Sequence, residues 1–176
     1  PSKMRHFRNP KVSIAYPIDN KEDLINFFTY LPLSNTKYNL PYIINADFIP
    51  DLGRTDIVNN LKYNTQVLKF VSDTLLSFTQ LLISEGMYSY FIDMIPDFYG
   101  SKVKTLNTIT DYYDDNFSIL ELPNNKNTLV QKDQIVIDNT GIFSIVDESF
   151  ITEIEKFKDK FILSSYLNDE KGKISK

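Results

Sequence analysis

The stretch Leu40-Pro41-Tyr42-Ile43-Ile44-Asn45-Ala46-Asp47-Phe48-Ile49-Pro50-Asp51-Leu52-Gly53-Arg54-Thr55-Asp56-Ile57 decides how this chain is read. Its first part is rich in β-branched and aromatic residues, which predicts a strand over Leu40 to Ile49 closed by Pro50. Its second part is a loop with one glycine and one arginine, and a helical pattern follows almost at once. A strand that passes through a short loop into a long helix holds in place whatever the loop carries. Here that is Arg54, a planar cation with five donors, suited to phosphate or carboxylate. It is the only arginine beyond residue 10. Gly53 is expected to supply an unusual turn that brings it round. Two readings stay open for Arg54: a group that reads a ligand, or a surface charge that caps or braces its own loop.

Upstream of this stretch, Val12 to Ile18 alternates in the strand period and stops at the turn pair Asp19-Asn20. Leu24 to Leu31, ended by Pro32, is a second strand candidate. Three strands joined by short loops predict a meander or hairpin-rich sheet. Phe27, Phe28 and Tyr42 are expected in or half in the core, not as stacking platforms for bases. Residues 1–10 are polar and basic, with Lys3, Arg5, His6 and Arg8, and read as a leader or linker.

Downstream, Val58 to Glu85 changes to a helical period. Leu61, Leu68, Val71, Leu75, Phe78 and Leu82 fall on one stripe, widened by Val67, Leu76 and Leu81. Gly86 is the expected stop. A shorter stripe, Tyr88, Phe91, Ile92 and Ile95, ends at Pro96. A third, Val103, Leu106, Ile109 and Tyr113, has Ser101 as its N-cap candidate. The group Asp111, Asp114, Asp115 and Asn116 reads as a solvated helix end, since it lacks the glycine and twelfth-position glutamate of a calcium loop. Phe117 to Leu122, Leu129-Val130, Gln134 to Ile137 and Ile142 to Val146 read as extended segments. Turns are expected at Pro123 to Asn127 and at Asp138 to Gly141. Phe150 to Ile162 carries a last helical stripe, and 168–176 has no periodicity.

The fold class this predicts is α+β. An N-terminal three-stranded sheet region over residues 11–100 packs on a long amphipathic helix. A smaller helix-plus-hairpin α/β part covers 101–167, with a soft boundary near Gly100 and a frayed tail at 168–176.

Composition narrows the chemistry. The chain has 176 residues, 42% hydrophobic and 14% aromatic, which is the make-up of a folded domain. A net charge of -4 argues against a dedicated nucleic-acid binder. There is no cysteine, and the single histidine, His6, stands in the basic leader. Thiolate catalysis, a His/Cys zinc site and a Ser-His-Asp triad are therefore out. The 5 glycines are scattered singly, so no phosphate-cradling loop can form. Among the 23 acids no spacing singles out a catalytic pair. No run approaches the roughly eighteen apolar residues of a transmembrane helix. The expected setting is cytoplasmic, with no membrane partner, and the chain reads as part of a larger soluble protein.

Three short motifs in order carry a family likeness: Phe28-Thr29-Tyr30-Leu31-Pro32, then Asn45-Ala46-Asp47-Phe48, then Gly53-Arg54-Thr55-Asp56-Ile57. With Tyr63-Asn64 opening the helix, they resemble a segment of sacsin-like ATPases. There an FLP strand, an NADF-type strand and an SRxDI-type loop precede a Trp-Asn pair. Those proteins belong to the GHKL ATPases, with the ninety-kilodalton heat-shock chaperones as relatives. The likeness implies a middle-domain-like segment that is inactive alone. Arg54 would then contact the γ-phosphate of ATP, held with Mg2+ by an upstream ATP-binding domain of the parent protein, and the segment itself would hold neither.

Gly53 stands where serine is usual, and the chaperone glutamine four residues beyond the arginine falls on Val58. Asn59 or Asn60 is the candidate to take over that polar contact. The further partners implied are a protein client and a second copy of the parent. The competing readings are a protein-interaction module with no nucleotide role and, third, a carboxylate hydrolase.

Overall fold

The computed structural model describes residues 10–18, 24–34, 38, 40–96, 103–137 and 145, and the backbone of 161–162. The protein is α+β, and it divides into two compact units. One comprises Pro1–Leu75 and Phe98–Tyr113, the other Leu76–Asp97 and Asp114–Lys176. The expected boundary at Gly100 lies outside the described residues.

In the first unit, strands β1 (Val12–Ala15), β2 (Phe27–Thr29), β3 (Leu31–Pro32) and β4 (Ile43–Ala46) form one sheet in the order β1-β4-β2-β3. This corrects the expected meander. β4 inserts between β1 and β2, antiparallel to β1 (Val12↔Ala46 to Ala15↔Ile43) and parallel to β2 (Phe27↔Ile44, Phe28↔Asn45). The rearrangement follows from a reversal at a single residue. Tyr30 takes the left-handed backbone, φ 63, so Leu31 folds back beside Thr29 on the outer side of β2. That conformation costs a non-glycine residue roughly 1–2 kcal/mol.

The strands are also shorter than expected, and Asn26 is one reason. Its side chain is buried and imitates a strand backbone. It donates to the carbonyls of Leu40 (2.8 Å) and Tyr42 (3.0 Å) and accepts from the Leu40 amide (3.0 Å). Residues 40–42 are thereby tied to a side chain instead of a ladder, and β4 begins only at Ile43. The core lies on the face bearing Phe27, Tyr42, Ile44 and Phe48; Phe28 is half-buried. The Phe27 ring stands 4.3 Å from Tyr38 and 5.7 Å from Phe48, centre to centre.

Helix α1 (Lys62–Ser84) packs against the sheet through Val67, Leu68, Val71 and Leu75. Full burial of such a side chain contributes about 1.5–3 kcal/mol. By length and composition alone α1 would pass as a membrane span, but half of its most apolar window is packed inside the protein. Its buried face is not wholly apolar. Ser72 is buried and donates to the carbonyls of Leu68 and, at 3.1 Å, of Ile109 on α3 (Lys104–Asn116). Leu61 and Leu81, counted on the stripe from sequence, are exposed.

The helix stops at Gly86 as expected, at φ 71. The Met87 amide reaches the Leu82 carbonyl (2.8 Å) and the Gly86 amide the Ile83 carbonyl (3.0 Å), a Schellman cap. Its start is four residues later than the pattern suggests, because 58–61 close the preceding loop.

The second unit holds the remainder of α1, helix α2 (Tyr88–Met94) and the antiparallel hairpin of β5 (Glu121–Pro123) and β6 (Leu129–Gln131). Phe117–Ile119 is a 3-10 turn with Phe117 buried, and not the start of the expected strand. The turn expected at Pro123 to Asn127 is built on Asn124, whose buried side chain accepts from the amides of Lys126 and Thr128. β7 (Ile135–Val136) pairs in parallel with β8 (Phe161–Ile162). Those two last residues were expected at the end of a helix. The rest of that segment, the turn at 138–141 and, except for Ile145 in a turn, the strand at 142–146 lie outside the described residues.

Tyr42 generates a stability test. Its side chain is fully buried and its hydroxyl has no hydrogen-bond partner among the described residues. Burial, and then Tyr113 nearby, pushes that phenol well above its ordinary value. Tyr42→Phe is expected to raise unfolding stability by about 1 kcal/mol in chemical denaturation. The folded chain resists ionisation there while the unfolded chain does not. Stability is therefore intact below the ordinary tyrosine value of about 10 and falls above it. The phenylalanine variant is expected to lose less stability over that alkaline range.

Candidate functional site

The loop that carries Arg54 is closed at its base by an antiparallel bridge between Pro50 and Ile57. The Asp51 amide donates to the Asp56 carbonyl (2.9 Å) and the Val58 amide to that of Ile49 (3.1 Å). Below the bridge sits Asn64, in the first turn of α1 and fully buried. Its side-chain oxygen accepts from the Ile49 amide (2.8 Å), and its amide nitrogen donates to the carbonyls of Ile49 (2.8 Å) and Val58 (2.9 Å). One side chain thus satisfies both the incoming and the outgoing strand of the loop. This gives a physical role to the asparagine of the Tyr63-Asn64 pair.

The loop's upper part is ordered by Asp51. Its carboxylate accepts from the Thr55 amide (2.7 Å) and from the Thr55 hydroxyl, and its carbonyl accepts from the Arg54 amide (3.1 Å). The Thr55 hydroxyl, then the Thr55 amide, hold the exposed Asp51 carboxyl below its ordinary value. Its bonds to Thr55 are therefore kept at neutral pH and lost only at strongly acid pH.

Asp56 is engaged from the other side. Its Oδ1 accepts from the Tyr38 hydroxyl and from the Ile57 amide (2.8 Å). Burial, and then the bond to Asp56, raises the Tyr38 phenol above its ordinary range, so it stays a donor. Asp47 accepts from the Lys11 amide (3.2 Å).

Gly53 does not play the part expected of it. The left-handed residue of the loop is Arg54 itself, φ 51. A Cβ at Gly53 would meet nothing nearer than the Thr55 methyl at 3.5 Å, an ordinary contact. The serine of the resembled pattern therefore fits at this position without change. The turn comes from the Asp51 and Thr55 bonds, which outweigh the strain at Arg54.

Arg54 is half-buried. Its Nη2 donates to the carbonyls of Thr29 (3.1 Å) and Leu31 (3.3 Å), on either side of Tyr30 at the β2–β3 tip. Among the described residues no carboxylate pairs with it, and its Nε and Nη1 have no protein acceptor. Asp47, Asp51 and Asp56, the acids closest in sequence, each accept from another group. Among the described residues the cation is held in place but not neutralised.

Asn59 and Asn60 face α3. Asn59 accepts from the Thr105 hydroxyl (2.6 Å), and Asn60 lies 3.5 Å from the Lys104 ammonium. His6 lies outside the described residues. Among the described residues no group of three or more acids and histidines could hold a metal ion.

Sequence reasoning missed Asn26, Tyr38 and the carbonyls of Thr29 and Leu31. Polar residues inside an apolar pattern, Asn26 and Asn64 above all, were the available signal. Chemically, the described residues place here a fixed guanidinium with donors able to meet an oxyanion.

Comparison with family models, curated proteins and solved structures finds no match to the chain.

Asn64→Asp isolates the clamp, because the variant keeps the shape but cannot donate to Ile49 and Val58. It is expected to cost about 2–4 kcal/mol of stability in chemical denaturation. Amide exchange is expected to rise first in residues 49–58.

Proposed function

We propose that this chain is the middle-domain-like, non-catalytic segment of a sacsin-like or chaperone-like GHKL ATPase. Arg54 is the residue it contributes to the reaction. In the parent protein an upstream domain binds ATP and Mg2+, and Arg54 contacts the γ-phosphate.

The observation that carries this reading is a guanidinium on a clamped loop with no carboxylate partner among the described residues. Each neighbouring acid that could have neutralised it has another donor. A phosphate between two domains, shielded from water, is where such a cation has its largest effect. Its Nε and Nη1 have no acceptor among the described residues, so the loop presents donors to charge as it develops. The ordered motifs and the helix opening at Tyr63-Asn64 support the same assignment. In this reading ATP and Mg2+ are held by the upstream domain, and this segment lends Arg54 to them. Asn59 and Asn60, turned toward α3, would act on that segment's packing and only indirectly on nucleotide.

A second reading draws on exposed apolar side chains beside the same loop: Tyr30 at 87%, Leu31 at 60% and Leu52 fully exposed. They suit a protein-interaction module, with Arg54 as a brace.

ATP turnover by a protein that joins this segment to its upstream domain separates the two. Arg54→Ala is expected to lower kcat by about 10²–10³-fold with little change in KM. Arg54→Lys restores little, because a point charge lacks the fork. Unchanged turnover in a folded Arg54→Ala protein would remove the phosphate role and leave the interaction module.

A further inference from the structure

The guanidinium's hydrogen-bond arithmetic carries a consequence for the β2–β3 hairpin. Nη2 donates to two carbonyls, those of Thr29 and Leu31. A guanidinium offers an oxyanion two in-plane forks, Nε with Nη2 and Nη1 with Nη2, and each includes Nη2. Bidentate capture of a phosphate therefore competes with the hairpin for Nη2. The weaker bond, to the exposed Leu31 carbonyl at 3.3 Å, is the one to yield.

Apart from Arg54, the Thr29 hydroxyl holds the base of the tip by donating to the Phe48 carbonyl (3.1 Å), which leaves Leu31 without such an anchor among the described residues. β3 is two residues long, and its second residue, Pro32, has no amide to donate. The register is Phe28↔Pro32 and Thr29↔Leu31, with Tyr30 alone between them at φ 63. Below the tip the Leu33 amide bonds the Phe27 carbonyl (2.9 Å), and the Ser34 amide bonds the Arg54 carbonyl (3.2 Å). Arg54 staples a strained turn at the edge of the sheet, where Tyr30 is 87% exposed.

We propose that the Thr29–Leu31 tip is a latch on Arg54: when the guanidinium grips a phosphate through a fork, the Leu31 carbonyl is released and the Tyr30 turn opens. This regulation rests on the reading of Arg54 as a phosphate contact. It converts occupancy of an anion site into a change at an exposed aromatic residue on the sheet edge.

Amide hydrogen exchange on the full chain tests the latch without nucleotide. Arg54→Ala is expected to speed exchange at Leu33 and Ser34 about tenfold, with the β1–β4 ladder unchanged. Inorganic pyrophosphate, against chloride at matched ionic strength, is expected to speed the same amides in the unsubstituted chain but not in Arg54→Ala. Arg54→Lys is expected to retain part of the protection and to lose the pyrophosphate response. The latch is overturned by unchanged exchange in Arg54→Ala, by uniform acceleration over the whole sheet, or by no Arg54-dependent pyrophosphate response. ATP turnover in the parent protein judges the γ-phosphate contact separately. Altered exchange with unaltered turnover keeps the latch for pyrophosphate and removes the γ-phosphate role. Altered turnover with unaltered exchange does the reverse.

Discussion

The buried amide of Asn64 is the interaction on which the candidate site depends. It accepts one hydrogen bond from, and donates two to, the backbone of the two strands of the loop. A buried polar side chain is favourable only when it is satisfied, and leaving such groups unpaired costs about 1–3 kcal/mol each. Loop and helix start are therefore coupled. Because Asn64 sits in the first turn of α1, the rigidity of the longest helix is passed directly to the residues that carry Arg54.

Around this clamp the fold repeats one device, an asparagine side chain in place of a backbone partner. Asn26 takes the place of a strand beside residues 40–42, and Asn124 closes the β5–β6 turn. All three are buried. Such sites fix geometry more sharply than apolar contacts do, since an amide has both a donor and an acceptor to align. The sheet needs this. Its strands are two to four residues long, and its order β1-β4-β2-β3 leaves few ladder bonds to define register.

The sequence made the long helix legible, because a buried stripe over 23 residues repeats many times, and Gly86 marked its end. The helix start at Lys62 was hidden, since Val58 and Leu61 continue the apolar pattern while serving the loop. Strand identity was visible in Val12–Ala15 and Ile43–Ala46, but strand order was not. Order here follows from the reversal at Tyr30, and nothing in a tyrosine announces a left-handed backbone. The same blindness reversed the roles of Gly53 and Arg54. Glycine is the residue sequence reasoning expects at positive φ, whereas the Asp51–Thr55 bonds impose it on the arginine. Arg54 was legible as a candidate because it stood alone in the loop. Its contacts with Thr29 and Leu31 were not, since backbone carbonyls leave no trace in sequence.

The left-handed backbone at Arg54 also bears on how this position would behave under selection for thermal robustness. Glycine there would relieve strain of roughly 1–2 kcal/mol while forfeiting two hydrogen bonds worth about 0.5–1.5 kcal/mol each. The opposing contributions largely offset one another, so a melting curve would be nearly silent at position 54. The cation could be lost from a lineage or a library without any visible penalty in folding. Its disappearance would register locally, in amide exchange at the hairpin tip, or in an assay that senses an anion.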